Sequence, residues 1–188
     1  MLKRLSNHGQ RGFSLIELMI AVVIFGIVAA LAMPSYLVWI QNTRIRAAAE
    51  SIQNGLQVAR AEAVKRNARV QFTLGVNSAW TVGCNPVVPD NNGDGIDDCP
   101  AVIQRREAKD GSSADITVAT VPAGSNVVEF NNFGRVNAAP VPFVQVDLDS
   151  AVLPPADSRN LRVTLGVGGN VRMCDPELAL SLTDPRRC

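Results

Sequence analysis

Residues 13–33 hold only two strongly polar side chains, Ser14 and Glu17. A carboxylate in hydrocarbon is costly: a charged side chain at the centre of a membrane helix is penalised by roughly 2.5–3.5 kcal/mol or more. Such a group is kept where it has a partner, so the chemistry it offers is ion pairing. Glu17 follows Phe13 by four positions. A cut between Gly12 and Phe13 creates an α-amino group one helical turn from Glu17 on the same helix. In a packed pair of subunits, one Glu17 neutralises the Phe13 amine of its neighbour.

A second group of oxygen-bearing residues reads Asp90-Asn91-Asn92-Gly93-Asp94-Gly95-Ile96-Asp97-Asp98. Asp90, Asn92, Asp94, the Ile96 carbonyl and Asp98 fall at positions 1, 3, 5, 7 and 9 of a calcium loop, with Gly95 at position 6. The twelfth position, which supplies a bidentate acid in such loops, is Ala101. The competing reading is a polar loop of turn-forming residues. No cofactor is expected apart from this candidate Ca²⁺ site.

Four cysteines, Cys84, Cys99, Cys174 and Cys188, all follow the apolar run. No C-x-x-C spacing and no nearby His points to a metal, so disulfides in an oxidising compartment are the expectation. Three connectivities are open. The sequence-local one, Cys84–Cys99 with Cys174–Cys188, closes loops of about 15 residues, each worth about 3 kcal/mol in the chain-entropy view. The sequence has one His, His8. A chain cut after Gly12 therefore has none, which removes His-based triads, general bases and zinc sites. An enzyme is not expected.

These groups need elements to position them. At about 1.5 Å per residue, the apolar segment 13–33 reaches about 31 Å, the thickness of a bilayer core. Lys3, Arg4 and Arg11 precede it and hold that side in the cytoplasm. Ala30-Leu31-Ala32 also fits a secretory signal cut after Ala32, but the length of the apolar stretch and the presence of Glu17 oppose that reading. Pro34 removes a helical donor and marks a break or kink. Beyond it, Ile45, Ala49, Ile52, Leu56, Ala59 and Ala63 form one apolar stripe at helical spacing, and Asn67 is a natural end. The amphipathic half is set at 37–67.

From residue 69 the period changes to two. Strands are expected at 69–74, 79–83, 101–106, 115–120, 126–130, 134–137, 143–149, 160–166 and 170–174, with a short helix at 177–182. The fold class is α+β: a long N-terminal helix, membrane-spanning in its first half, packed on an antiparallel β-sheet or sandwich domain. The division is residues 1–12 as a leader, 13–67 as the helix and 68–188 as the globular β domain. From Ala68 onward ten Lys/Arg face fourteen Asp/Glu, a net of −4. That balance opposes a domain-wide nucleic-acid footprint.

Gly12-Phe13-Ser14-Leu15-Ile16-Glu17 resembles the class III signal of type IV pilins and pseudopilins. The resemblance implies cleavage by prepilin peptidase between Gly12 and Phe13, N-methylation of Phe13, and an assembly role for Glu17. It also implies that Gly26 and Pro34 soften or kink the long helix. In the globular part, Trp80, Phe133-Gly134-Arg135 and Gly169-Asn170-Val171-Arg172 before Cys174 resemble the GspH/FimT family of minor pilins and pseudopilins. The implied setting is the bacterial inner membrane, single-pass, with the C-terminal domain periplasmic, followed by entry into a pilus or pseudopilus near its tip or initiation complex. The implied partners are other minor and major pilins or pseudopilins, the peptidase and an inner-membrane assembly platform. Some FimT-type proteins bind DNA for uptake through Gly-Arg-x-Arg. Here the first Arg of that motif is absent, and Arg172, Arg186 and Arg187 are the phosphate-contacting candidates.

Overall fold

The computed structural model describes residues 13–91, 93, 95, 97–110, 113–177 and 184–188. Its elements are α1 (Leu15–Arg66) followed by β1 (Val70–Leu74), β2 (Trp80–Cys84), β3 (Gln104–Arg106), β4 (Ile116–Val121), β5 (Val127–Phe130), β6 (Gln145–Ser150), β7 (Leu161–Leu165) and β8 (Val171–Cys174). The chain divides into two compact units, one up to Leu37 and the other Val38–Cys188. The division falls inside α1, and Pro34 does not end the helix.

The helix stops where its chemistry says it should. Asn67 takes φ +51°, the left-handed conformation that Asn tolerates better than most residues. Ala68 N donates to Ala63 O at 3.2 Å and Asn67 N to Val64 O at 3.3 Å. These two bonds satisfy carbonyls that the last turn would otherwise leave open.

In the unit Val38–Cys188, the strands form two four-stranded sheets, in the orders β3-β2-β1-β5 and β4-β6-β7-β8. Every strand pairing within them is antiparallel. The chain leaves the first sheet after β3, enters the second with β4, returns for β5 and then completes the second. The stripe Ile45, Ala49, Ile52, Leu56, Ala59 and Ala63 is fully buried, as is Ala48. It joins one core with Phe72, Trp80, Val82, Phe130, Phe143, Val146 and Leu148.

Two details fix how the helix meets the first sheet. Trp80 Nε1 donates to Ser51 Oγ at 2.9 Å, which satisfies a buried donor. Gly55 lies under the rings of Phe72 and Trp80; a Cβ there would sit 2.7 Å from Phe72 Cε2. At the start of the unit, Asn42 Nδ2 donates to Asp157 O at 2.9 Å and Asn42 Oδ1 accepts from Arg159 N at 2.8 Å. Arg44 pairs with Asp115 at 3.4 Å. These contacts tie the helix to the loops of the second sheet.

Two strand expectations need correction. Residues 134–137 form no strand: only Val136 pairs, in an isolated bridge to Phe130. The chain instead wraps around Asn131, whose carboxamide oxygen accepts from two backbone N–H groups. The strand expected at 101–106 is reduced to Gln104–Arg106. The chain just before it is held by the Cys84–Cys99 bridge and by Cys84 N donating to Pro100 O at 2.9 Å. Of the short helix expected at 177–182, all but Glu177 lies outside the described residues.

Candidate assembly site

The site begins at the start of α1. Ser14 precedes the helix, and its Oγ accepts from Glu17 N at 3.2 Å. Its carbonyl accepts from Leu18 N at 3.1 Å, the first helical bond. Ser14 is therefore an N-cap and Glu17 the third helical residue, the spacing of a capping box. That spacing was legible in the sequence, but the reading there placed Ser14 only as a polar side chain in an apolar run. The cap fixes the helix start two residues after the candidate cut. It also sets the carboxylate in the first turn, where the helix dipole favours negative charge.

Phe13 is the first described residue; Gly12 lies outside the described set. The Glu17 carboxylate has no ion-pair partner among the described residues. Around it, Leu15–Met33 forms a helix long and apolar enough to cross a membrane, with none of it buried inside the protein. Phe13, Leu15, Phe25 and Leu31 are all at least three-quarters exposed. So much contiguous apolar surface is not stable in water. It requires lipid or the matching helices of other chains. A Cβ at Gly26, in this segment, would meet no neighbour within 4 Å among the described residues outside its own helix backbone.

The other candidates are placed elsewhere. In the Asp/Asn/Gly loop, Asn92 and Asp94 lie outside the described residues. Asp90 Oδ1 accepts from Gly93 N at 2.7 Å and Oδ2 from Gly95 N at 2.8 Å. Asp98 Oδ2 accepts from Asn91 N and Nδ2, at 3.3 and 3.1 Å. These four bonds are local, of the kind Asp and Asn side chains make in turns. Among the described residues no group of three or more His, Cys, Asp or Glu converges on a metal position. The loop is also anchored to the helix: Arg66 Nη1 donates to Asp98 O at 2.6 Å. Arg66 Nε donates to Glu62 Oε2 at 2.7 Å, and this bond holds the Glu62 carboxyl below its ordinary value.

The cysteines are joined as Cys84–Cys99 and Cys174–Cys188, with Cα–Cα distances of 5.6 and 5.1 Å. The second bridge closes the tail that carries Arg186 and Arg187, and Arg172 stands on β8 just before it. Arg172 Nη2 donates to Pro185 O at 2.8 Å and to Arg187 O at 2.9 Å. Arg186 forms a forked pair with Asp184, at 2.7 and 3.1 Å, which lowers that carboxyl to about 2. Residue 187 is bridged to Asp175. Arg172 thus donates to backbone 13 and 15 residues away, a contact that spacing does not reveal, whereas Arg186 pairs with an acid two residues before it.

A family model described as Type II transport protein GspH matches residues 48–169, more than half of the chain. A second, the prokaryotic N-terminal methylation motif, matches residues 7–33. Among solved structures, the chain is similar to the type IV minor pilin FimU of Pseudomonas aeruginosa in two crystal forms. One form has 18% identity and a TM-score of 0.45, covering 69% of this chain and 87% of FimU. The other has 16% identity and a TM-score of 0.43, covering 68% and 90%.

Proposed function

Because the chain belongs to the Type II transport protein GspH family, we propose that it is cleaved between Gly12 and Phe13, waits in the inner membrane, and enters a filament tip or initiation complex. Family and methylation motif give the coarser role directly: a minor pilin or pseudopilin that assembles with other such subunits. The finer reading rests on Glu17. It is a carboxylate in the first turn of an exposed apolar helix, unpaired among the described residues and four positions from Phe13. Methylating the Phe13 amine leaves it a cation, so a modified neighbour still supplies the opposite charge. The globular unit then faces the periplasm, and the peptidase and assembly platform act on the membrane segment.

The test separates processing from assembly. Glu17→Ala should be cut at the same bond, as read by intact mass. Its recovery in sheared filaments should fall about tenfold or more, the scale set by an unpaired charge in hydrocarbon. Recovery equal to that of the unsubstituted chain would remove the charge pair from the mechanism. A mature mass that begins at Met33 would remove the anchor altogether.

A further inference from the structure

The turn after β5 is held more firmly than a surface turn requires. Asn131 Oδ1 accepts from Phe133 N at 3.0 Å and Arg135 N at 3.1 Å. Gly134 N donates to Asn131 O at 2.8 Å, and Asn131 N to Arg135 O at 2.9 Å. From α1, Arg60 Nε donates to Gly134 O at 3.2 Å. The β7–β8 turn is locked onto the same point. Val136 N donates to Val167 O at 3.1 Å. Gly169 has φ +78°, and a Cβ there would fall 2.2 Å from Gly134 O. Two turns and one helix meet at a knot that admits no side chain at Gly169.

This rigid base carries apolar side chains on its outside. Phe133 is 76% exposed, Val167 84% and Val64 53%. Val64 Cγ2 lies 3.2 Å from where a Cβ on Gly134 would stand, so the helix valine borders the same turn. Arg60 and Arg135 flank them. Both are exposed, and neither makes an ion pair among the described residues. The acids on the elements that meet here, Glu129 of β5 and Glu62 of α1, already have partners. Glu129 is buried under Asn137 and Arg69, and Glu62 is held by Arg66 and Lys65.

We propose that Phe133, Val167 and Val64 form a docking surface for a neighbouring filament subunit that presents an apolar pocket rimmed by Asp and Glu. The class of partner rests on the filament role above; the chemistry of its pocket rests on this surface. An exposed aromatic side chain is the usual anchor of an interface, and a backbone already held in place leaves less to order on docking. The two arginines select carboxylates at the rim and speed encounter. Single-stranded nucleic acid also stacks on aromatic rings beside arginines. The exposed Val64 and Val167, aliphatic groups that offer a base no stacking face, favour a protein pocket.

The test places benzoylphenylalanine at position 133 of the full chain, in cells making the complete filament system. The expected adduct joins another pilin-like subunit at an apolar residue flanked by Asp or Glu, identified by mass spectrometry. Arg135→Glu, which leaves the Arg60 bond to Gly134 O in place, should reduce adduct yield about fivefold or more. No adduct from chains recovered in filaments overturns the proposal and leaves the filament role intact. Adducts to DNA or lipid, or a yield indifferent to charge reversal, also overturn it. Phe133→Ser, with a melting temperature within about 2 °C of the unsubstituted chain, should be processed normally but recovered in filaments about fivefold less. Equal recovery overturns the docking surface. Absence of the unsubstituted chain from filaments overturns the filament role instead, and the class of partner with it.

Discussion

Ile24 and Ile52 are the same residue in the same helix. One is 57% exposed and the other fully buried. The membrane segment and the stripe of the globular unit differ little in the apolar character of the residues that count. They differ in who completes the burial. From Ile45 to Ala63 the protein's own sheets do it, so the stripe is one face wide and the opposite face is charged. From Leu15 to Met33 no described residue does it, so the helix is apolar all round, and its one acid has no ion-pair partner among the described residues. A one-sided pattern announces an internal contract with the fold, and an all-round pattern announces an external one.

That contrast can be broken by paired substitutions. Leu56→Ala should lower the stability of the globular unit by about 2–5 kcal/mol through the cavity it leaves. Ile24→Ala should change its melting temperature by less than about 2 °C, with any effect confined to membrane retention or filament recovery. A thermal melt of both variants in detergent checks this; equal destabilisation would erase the distinction. Next in size, Cys174→Ser with Cys188→Ser should cost about 2–4 kcal/mol and free the tail that Arg172 grips. Proteolysis of residues 175–188 should then precede global unfolding. The smallest effect concerns pH. Arg66 holds the Glu62 carboxyl below its ordinary 4.5. The stabilisation is complete above that value and is lost as pH falls from it through the lower folded value. Glu62→Gln should therefore narrow the stability gap between pH 7 and acid. An unchanged gap in denaturant titrations would show that the pair contributes nothing.

Local patterns carried much of the fold. The apolar run, the stripe stepping by four and three, and the period-two segments each reflect a neighbour within a few residues. Ser14 and Glu17 belong to the same class, since a cap is a local bond. What the sequence could not convey depends on distant partners. The strand expected at 134–137 is a turn because Arg60 and Gly169 close on Gly134, residues far away along the chain. The bonds from Arg172 to the carbonyls of residues 185 and 187 were not legible, because its acceptors are backbone atoms far along the chain. The order of strands in two sheets, with β4 and β5 exchanged between them, leaves no trace in periodicity.

The indole bond between Trp80 and Ser51 has a practical consequence. The chain has two tryptophans. Trp80 is sealed where the helix meets the first sheet, whereas Trp39 is 62% exposed. Their emission spectra should therefore separate, blue for the sealed ring and red for the other in water. Light from Trp80 will follow loss of the helix–sheet contact, and a blue shift from Trp39 will report the moment that part of the helix leaves water.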